Sequence, residues 1–373
     1  MKAMMQLVGL MSGTSLDGLD VAVCDFAEDE NAFGSTRYEV VLYGNRVHCG
    51  VRMARTLPYS EEWRSRLMGL MSTSAFDYAL ADVQLAQYWG EGVCQLLSEQ
   101  HIRPDYVASH GHTVFHRPDL GLTTQIGNAD VLAAVLGCPV VYGFRTLDVA
   151  LGGQGAPLVP IGDRLLFAEY DGCLNLGGIA NISFEEASSG RRVAFDICPC
   201  NMAMNELAAH VGRAYDAGGA LAQQGAVSEP LLRQLNELPF YDEQPPKSLG
   251  REWYERAFQP VVTGGALLTV DALATVVEHV AIQVGKVVGR AGLRSLLVTG
   301  GGAHNAFLVS RLQQHCPRCQ VVVPSPVVVD YKEAIIFALL AFLRISGRRN
   351  VLSSVTGARA DSCSGSITGR LPV

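Results

Sequence analysis

No stretch of lysine and arginine in this sequence is long enough to follow the phosphates of a nucleic acid strand. Basic and acidic residues are nearly balanced, 29 against 36, which gives a net charge of −7. The most apolar stretch near the C-terminal end of the sequence, residues 334–345, contains Arg344. It is too short for a membrane-spanning helix, which needs about 20 residues. These absences argue against nucleic acid and membrane partners, and they predict a cytoplasmic protein that handles small molecules.

The sequence also lacks a second Cys-x-x-Cys pair to accompany Cys316-Pro-Arg-Cys319. A zinc site of four ligands would need two more thiols or imidazoles at matching spacing. The ten cysteines are scattered through mostly apolar surroundings, as at Cys24 and Cys138. In a chain this long, that distribution is typical of reduced, buried side chains rather than of a disulfide framework, and it predicts no zinc.

Two stretches of the chain show the pattern strand, glycine turn, strand: residues 6–27 and residues 174–184. The first follows Lys2 and an apolar run that a short signal peptide would share. That run leads directly into the glycine turn, which favours a first β-strand over a leader. Each pattern is followed by mixed strands and helices, so the sequence predicts two related α/β halves.

The length of 373 residues suits two domains of about 150–200 residues each. Small and apolar residues recur with a period of 3.6 over residues 74–100, which predicts a long helix with one buried face. We expect a first lobe over residues 1–145 and a second lobe over residues 146–334. Residues 237–251 are rich in proline and charge and are predicted to be a surface insertion.

The first glycine turn, residues 12–18, has no lysine to reach a terminal phosphate and lies in a hairpin, so it is not a P-loop. Gly13 and Gly18 nevertheless allow the backbone to approach a ligand, and the hydroxyl side chains of the turn can bind phosphate oxygens. Asp17 is a candidate to orient Mg²⁺ or its waters, because magnesium keeps several waters and few carboxylates. The same residues would equally suit a tight hairpin with polar side chains.

Two further glycine sites occur in the second half of the chain. Gly177-Gly178 lies between two strands and is ambiguous by itself. Residues 300–302 are three glycines that follow an apolar strand and precede a helix predicted from about residue 305. They remove side chains where a flat ring or phosphate could lie on the backbone, and a helix N-terminus favours an anion. Three glycine sites are what an enzyme that binds ATP with two domains would need.

Asp196 ends an otherwise apolar predicted strand over residues 193–196 and is the candidate general base. An acidic residue that leaves a buried strand is usually a helix cap or a functional carboxylate. Because Asn201 is better placed to cap the helix predicted from about Met202, we interpret Asp196 as functional. It would accept a proton from a hydroxyl group or water within hydrogen-bond reach.

The histidines of residues 110–116 raise the question of a metal site. His110 and His112 would point to the same face of a strand, but Gly111 between them predicts a turn. No carboxylate lies within residues 110–116, which favours hydrogen bonding to a sugar or to the backbone over metal binding. The glycine-rich loop at residues 152–157 would close over a polyol or simply connect two domains.

Several motifs, in order along nearly the whole chain, resemble the signature of the anhydro-N-acetylmuramic acid kinase family. They are residues 9–18, 109–113, 125–127, 148–150, 152–160, 175–181, 300–305 and 355–358. The most specific are the opening Gly-Leu-Met-Ser-Gly-Thr-Ser-Leu-Asp-Gly and the run Gly-Gly-Gln-Gly-Ala-Pro-Leu-Val-Pro.

The resemblance implies an α/β, two-lobed actin- and hexokinase-like fold, a duplicated ribonuclease H-like unit with an ATP cleft between the lobes. The C-terminal helix, over about residues 335–373, would return to the first lobe. The family is a cytoplasmic phosphotransferase of cell-wall recycling that uses ATP and Mg²⁺. Water opens the 1,6-anhydro bridge of anhydro-N-acetylmuramic acid while O6 is phosphorylated, which gives N-acetylmuramic acid 6-phosphate. The expected partners are the amino sugar, ATP and a second copy of the chain.

The resemblance also implies residue roles. Asp196 would activate the water that attacks C1, and Glu333 matches an acid near the site. The ATP phosphates would be held by Ser12, Gly13, Thr14, Ser15, Leu16, Asp17, Gly18 and Leu19, with Asp17 also the metal ligand. The nucleotide-binding residues of the second lobe would be Gly177, Gly178, Gly300, Gly301 and Gly302. The substrate-binding residues would be His110, Thr113, Asp148 and Gln154.

The sequence departs from the family pattern at a few positions. Cys198 and Cys200 stand where glycine is usual, His112 stands where glutamine is common, and residues 161–163 replace a more usual Phe-His-containing continuation. These departures concern the substrate rather than the reaction class.

Two alternatives stay open. One is a kinase of another amino sugar or hexose, in which Asp196 acts on a sugar hydroxyl. The other is a non-enzymatic ATP-binding module of the actin or chaperone type. Such a module should carry peptide-binding or filament-forming extensions, and the sequence shows none.

Overall fold

The computed structural model describes residues 4–13, 15–27, 37–42, 45–265 and 267–370. The chain divides into a first unit, Met1–Leu166 with Tyr331–Val373, and a second unit, Phe167–Asp330. Each unit contains one β-sheet and packed helices, so the predicted α/β class with two units is confirmed.

The strands, in chain order, are β1 (Met4–Ser12), β2 (Gly18–Ala27), β3 (Arg37–Leu42), β4 (Asn45–Pro58), β5 (Tyr106–Arg117), β6 (Leu122–Ile126), β7 (Val140–Tyr142), β8 (Gly172–Leu176), β9 (Ile179–Glu185), β10 (Arg192–Pro199), β11 (Ser295–Thr299), β12 (Gln320–Val322) and β13 (Ser366–Thr368). The helices are α1 (Glu61–Gly69), α2 (Ala75–Glu99), α3 (Ala129–Leu136), α4 (Thr146–Ala150), α5 (Val159–Leu166), α6 (Asn201–Ala209), α7 (Glu229–Asn236), α8 (Arg251–Trp253), α9 (Gln259–Thr263), α10 (Thr269–Ala291), α11 (Ala306–His315), α12 (Pro326–Ile345) and α13 (Ser353–Thr356).

The two sheets repeat one strand order. The first contains the path β4-β2-β1-β5-β7, and the second is β10-β9-β8-β11-β12. In both, the first three strands of the path are antiparallel neighbours and the last two are added in parallel. In the first unit β3, β6 and β13 extend this pattern. The repeated order is the duplicated α/β unit that the sequence resemblance implied.

The two faces of β1 pack against different helices. Val8 and Leu10 are fully buried in a cluster with the apolar face of α2, as the helical periodicity predicted. Gly9, which lies between them, faces α12, where a Cβ atom on Gly9 would overlap the carbonyl oxygen of Ala334. The first unit is therefore layered around this strand, and glycine permits the close approach of α12.

We expect Gly9→Ala to destabilise the folded protein by about 1–3 kcal/mol, because added atoms in a packed interior force the backbone to shift. The added Cβ would also lie 3.0 Å from the backbone nitrogen of Ala338. The midpoint of urea unfolding measures the effect. Gly69→Ala is the matched control, because a Cβ there meets nothing within 4 Å. An unchanged midpoint for Gly9→Ala would show that β1 and α12 are not packed this closely.

Helix α10 forms the centre of the second unit. Leu273, Val276, Val277 and Val280 are fully buried in its core cluster. Among the described helices, α10 alone is long and apolar enough to span a membrane by length and composition, and 72% of the apolar window is buried inside the structure. Its apolar side chains therefore pack into the core of this unit.

The prediction of a surface insertion at residues 237–251 is wrong. Phe240, Tyr241 and Leu249 are 3%, 7% and 9% exposed and belong to the core cluster of the second unit. The proline and charged residues of this segment dominate its composition, whereas its few apolar side chains determine how it packs.

The division of the chain differs from the expected boundaries at 145/146 and near 335. Helix α5 belongs to the first unit, because the buried Lys332 Nζ lies 3.2 Å from Asp163 Oδ1 and a Cβ on Gly162 would meet Ile336. The residues after 335 are not one helix. Helix α12 ends at Ile345, and the chain continues through α13 to β13, which pairs with β7.

Candidate active site

Asp196 was predicted to end a strand. In the structure it lies within β10, at a β-bulge. The strand continues to Pro199, and its register with β9 shifts between Asp196 and Cys198. A bulge bends the strand and changes the direction of the side chain at that point. This local irregularity separates Asp196 from the regular apolar face of the strand.

The Asp196 carboxylate is held by the segment that the sequence had suggested was a surface insertion. The backbone N–H of Leu249 donates to Oδ2 at 2.8 Å, and the N–H of Asp196 donates to the carbonyl of Lys247 at 3.2 Å. None of the described residues donates to Oδ1. Burial raises the pKa of Asp196, while the Leu249 N–H acts in the opposite direction. One oxygen is thus fixed, and the other is left to accept a proton.

A buried polar network anchors this segment to the core of the second unit. Tyr241 OH lies 2.8 Å from Nε2 of His279, and Nδ1 of His279 lies 2.9 Å from Oδ1 of Asn236. Burial lowers the pKa of His279 to about 3, so the ring is neutral. Tyr241 then donates to Nε2, and Nδ1–H donates to Asn236. Sequence reasoning missed this network, although the adjacent aromatic residues Phe240 and Tyr241 were a signal of core packing.

The residues that follow the bulge close the turn between β8 and β9. The N–H groups of Asn201 and Met202 donate to the carbonyls of Gly177 and Gly178, both at 3.1 Å. The Asn201 side chain donates to the Leu176 carbonyl at 2.8 Å, so the prediction that it caps α6 is wrong. A nearby backbone acceptor has replaced the local cap. These carbonyls accept from the chain itself, and of the backbone groups at Gly177 and Gly178 only an N–H could donate to a phosphate oxygen.

The two cysteines at this turn are buried and protonated. Cys198 and Cys200 are both 0% exposed. Burial raises the pKa of both thiols, to about 12 for Cys200. They fill space beside the bulge as small apolar side chains and are not available as nucleophiles.

The three glycines after β11 differ in what surrounds them. Gly300 has a φ of +81°, and a Cβ on it would lie 3.0 Å from the Leu176 carbonyl carbon. A Cβ on Gly302 would lie 2.6 Å from Cβ of Leu176. Gly301 is open, because a Cβ there would meet only Asn201 Nδ2 at 3.5 Å. Of the three, Gly301 is the position where a ligand can approach the backbone.

The helix predicted from about residue 305 follows the three glycines, as expected. A 3₁₀ turn, Gly301–His304, intervenes, and α11 begins at Ala306. Asn305 caps that helix, and its Oδ1 accepts from the N–H of Leu308 at 2.9 Å. The first turn of α11 is therefore satisfied by the protein itself.

In the first unit, the turn between β1 and β2 is closed by backbone hydrogen bonds. Thr14 lies outside the described residues. Leu16 has a φ of +59°, and its N–H donates to the Gly13 carbonyl at 3.4 Å. Ser12 is 2% exposed, and its hydroxyl is bonded within the protein. The backbone of the turn, rather than the Ser12 hydroxyl, remains for a phosphate.

The second half of this turn combines exposed polar side chains with a packed backbone. Ser15 and Asp17 are exposed, whereas Gly18 and Leu19 are buried. A Cβ on Gly18 would lie 2.8 Å from Cγ2 of Thr56. In the described part of the chain, no group of three or more His, Cys, Asp or Glu side chains could hold a metal ion. Asp17 can supply a single carboxylate, which fits Mg²⁺ bound mainly by phosphates and water.

His110 and Gly111 lie inside β5, so the turn predicted at Gly111 is wrong. Gly111 has a φ of +79° and sits where a Cβ would lie 2.7 Å from Cβ of Gln125 in β6. Its positive φ fits the local irregularity in the pairing of β1 with β5 without ending the strand. Nε2 of His110 accepts from Nε of Arg145 at 2.9 Å, and burial lowers the pKa of His110 well below its usual value.

Asp148 holds the glycine loop of residues 152–157. It is 0% exposed, and its two carboxylate oxygens accept from the Gly155 N–H and the Thr356 hydroxyl, both at 2.7 Å. Direct contact with a sugar would require Asp148 to give up these partners. Gln154 is exposed, and its backbone N–H donates to the Thr356 carbonyl at 2.8 Å. Asp148 therefore shapes the loop that presents Gln154.

Arg145 connects this loop to the remaining candidates of the first unit. It donates to the Gly155 carbonyl at 2.7 Å, and burial lowers its pKa to about 10 while Glu333 opposes that shift. Burial raises the pKa of Glu333, against the charges of Lys332 and Arg145. His110, Arg145 and Glu333 thus share one neighbourhood. Thr113, half-buried on β5, accepts a long hydrogen bond of 3.4 Å from Gln125.

Comparison of the sequence with known proteins gives one consistent family. A sequence model of the anhydro-N-acetylmuramic acid kinase family matches residues 5–370. A Pseudomonas putida protein named anhydro-N-acetylmuramic acid kinase is 36% identical over 371 residues, which cover 94% of this chain and 96% of that protein. A Nitrosomonas europaea protein of the same name is 34% identical over 379 residues, with coverages of 97% and 99%. Among solved structures, a ROK family glucokinase from Streptomyces griseus aligns with a TM-score of 0.39 and 12% identity, covering 90% of this chain and 98% of that one.

Proposed function

Because the chain belongs to the anhydro-N-acetylmuramic acid kinase family, we propose that it uses ATP to phosphorylate O6 of 1,6-anhydro-N-acetylmuramic acid while water opens the anhydro bridge. The chain is a phosphotransferase, and the family name places its activity in cell-wall sugar recycling. The product would be N-acetylmuramic acid 6-phosphate, with ADP as the second product.

The chemistry of the substrate determines what the protein has to do. O6 of the anhydro-sugar is an ether oxygen, so it has no proton for a base to remove. Water must attack C1, and the C1–O6 bond breaks with its electrons going to O6. O6 then takes the γ-phosphoryl group of ATP, and ADP leaves. The proton released by the attacking water goes to a base on the protein.

The observation that supports Asp196 as this base is that only one of its two carboxylate oxygens is hydrogen-bonded within the described part of the protein. The Leu249 N–H fixes Oδ2, and Oδ1 has no donor among the described residues. Burial raises the pKa of the carboxyl group, which makes the ionised form a stronger base than an exposed aspartate. The anchored segment over residues 240–249 keeps this orientation. Cys198 and Cys200 pack beside Asp196 and take no chemical part.

For the nucleotide we propose one contact in each unit. In the first unit, the backbone of residues 12–18 would bind phosphate oxygens, and Asp17 would help to place Mg²⁺. Magnesium would offset the charge on the transferred phosphoryl group, since this turn has no P-loop lysine. In the second unit, the open backbone at Gly301 would meet the nucleotide.

Gly301→Val is expected to raise the KM for ATP by about tenfold or more, because a branched side chain would displace the nucleotide from the backbone. The KM for the sugar should not change. The structure leaves room for a side chain at Gly301, so the variant should fold. Gly289→Val, an exposed position of α10 where a Cβ meets nothing within 4 Å, is the matched control. Normal ATP binding by Gly301→Val in a calorimeter would make this glycine part of a structural turn only.

Turnover of 1,6-anhydro-N-acetylmuramic acid with Mg²⁺ and ATP tests the proposed reaction directly. One ADP should form for each anhydro-sugar consumed. N-acetylmuramic acid and N-acetylglucosamine, which have a free O6 hydroxyl, serve as competing acceptors. If either is phosphorylated much faster than the anhydro-sugar, the protein is a kinase of another amino sugar, and Asp196 acts on a hydroxyl group instead of water.

A further inference from the structure

Four buried polar side chains of the first unit form a hydrogen-bonded chain that ends at His112. Nε1 of Trp89 donates to Tyr59 OH at 3.1 Å, and Tyr59 OH lies 2.7 Å from Oγ of Ser12. Ser12 Oγ lies in turn 3.0 Å from Nδ1 of His112. Ser12 is the last residue of β1 and pairs with His112 of β5 in the sheet. This series of hydrogen bonds therefore connects α2 to the start of the first glycine turn.

One arrangement of protons satisfies all four groups. An indole N–H can only donate, so the Tyr59 oxygen accepts from Trp89 and keeps its own proton to donate. Among the described residues, Ser12 Oγ is the only acceptor in reach of that proton. Ser12 must then donate to Nδ1 of His112. The reverse direction would leave the proton of the buried Tyr59 hydroxyl without an acceptor, which costs free energy.

This direction fixes the tautomer of His112. Because Nδ1 accepts a hydrogen bond, the single proton of the neutral ring is on Nε2. Burial lowers the pKa of His112 to about 4, so the ring is neutral near pH 7. Nε2 bonds to none of the described residues, and the protein does not enclose this atom completely. His112 lies beside Ser12, where the glycine turn begins.

We infer that His112 donates a hydrogen bond from Nε2 to a phosphate oxygen of the bound nucleotide, and that Trp89, Tyr59 and Ser12 fix the tautomer that allows it. The inference rests on the proposed function in one respect, which is that the turn of residues 12–18 binds phosphate. His112 supplies a neutral donor there, because its burial disfavours a charged ring.

The tautomer is measured on the wild-type protein with ¹⁵N-labelled histidine. Two-bond ¹H–¹⁵N spectra should show Nε2 protonated and Nδ1 unprotonated from about pH 6 to about pH 8. Tyr59→Phe keeps the ring but removes the donor to Ser12, so Ser12 can accept from Nδ1–H and both tautomers should appear. A proton on Nδ1 in the wild type would overturn the inference.

Calorimetry with Mg·ATP, tripolyphosphate and the anhydro-sugar, each alone, measures the contact itself. His112→Leu should weaken ATP and tripolyphosphate binding by about tenfold, the effect of one hydrogen bond to a charged acceptor. Sugar binding should be unchanged. His112→Gln should restore binding to nearly the wild-type affinity, because the amide N–H replaces Nε2–H. Thermal unfolding of each variant controls for loss of structure, and if the leucine variant does not fold, the glutamine variant and the wild-type spectra decide.

The outcomes separate this inference from the proposed reaction. Unchanged ATP and tripolyphosphate affinity in His112→Leu would overturn the phosphate contact, as would a loss confined to the sugar. If the wild type does not turn over the anhydro-sugar but His112→Leu still loses tripolyphosphate affinity, the proposed reaction fails and the contact stands. If turnover is normal and the leucine variant binds both phosphate ligands as the wild type does, the contact fails and the reaction stands.

Discussion

Asp196→Asn is expected to lower kcat by about 10²–10⁴-fold, because an amide cannot take the proton of the attacking water. The asparagine oxygen can still accept from the Leu249 N–H, so the segment over residues 240–249 should keep its place. ATP affinity measured by calorimetry should be unchanged. Asp242→Asn, the same chemical change at an exposed carboxylate of that segment, is the matched control and should keep wild-type kcat.

The pH profile of the wild type gives a second test of the same residue. Burial raises the pKa of Asp196, and the base has to be ionised to act. Activity should therefore fall as the pH drops through this raised pKa, at a higher pH than for an aspartate of ordinary pKa near 3.9. The acid limb should disappear from the residual activity of Asp196→Asn. A variant with kcat within about threefold of the wild type and the same acid limb would place the base elsewhere.

In ¹⁸O-labelled water, essentially all the label that enters the product should be found on the C1 hydroxyl, and none should enter the phosphate. Water forms the new bond at C1, while O6 keeps its own oxygen and receives the γ-phosphoryl group. Asp196 contributes by activating that water. Mass spectrometry of the product, read before the anomers exchange oxygen with solvent, measures the position of the label.

The control for this experiment is N-acetylmuramic acid with a free O6 hydroxyl, incubated under identical conditions. It measures the label that C1 gains by anomeric exchange alone. Label in the phosphate would mean that water attacks phosphorus, and label at C1 without a matching amount of ADP would mean that bridge opening and phosphoryl transfer are separate events. Either result would contradict a coupled reaction.

Regular elements of this fold were predictable because their signals are local. The apolar alternation on both sides of the first glycine turn predicted β1 and β2, and the helical period over residues 74–100 predicted α2. The repeat of the hairpin pattern in the second half predicted β8 and β9. In each case the residues that form the element are also the residues that specify it.

The details around Asp196 were not predictable, because they depend on residues far apart in the chain. Asparagine is a residue type that often caps helices, but the side chain of Asn201 donates to the backbone carbonyl of Leu176 instead. Leu249 reaches Asp196 across more than 50 positions of sequence. The buried Tyr241 hydroxyl finds its hydrogen-bond acceptor in Nε2 of His279, 38 positions further along the chain. Local patterns cannot report such contacts, since the competing partner is supplied by tertiary packing.

Gly111 shows the same limit for the backbone. A positive φ is typical of a glycine turn, and the sequence pattern suggested one between His110 and His112. The strand instead passes through Gly111, since β5 pairs with β1 on both sides of it, at Ser109 and His112, and with β6 from His112 onward. A glycine with positive φ therefore indicates a local irregularity, and the neighbouring strands decide whether the element ends there.

The first unit consists of two separate segments of the chain, and this affects the order in which the chain acquires structure during synthesis. The second unit is one continuous segment, Phe167–Asp330, and all its strands have been translated before α12 is complete. The first unit cannot complete its folding before its C-terminal segment is translated. In that segment β13 pairs with β7, and the Thr356 hydroxyl donates a hydrogen bond to Asp148. On the ribosome, the second unit can thus finish folding first, although it is translated after β1 to β7, which stay without α12, α13 and β13 until those segments have followed.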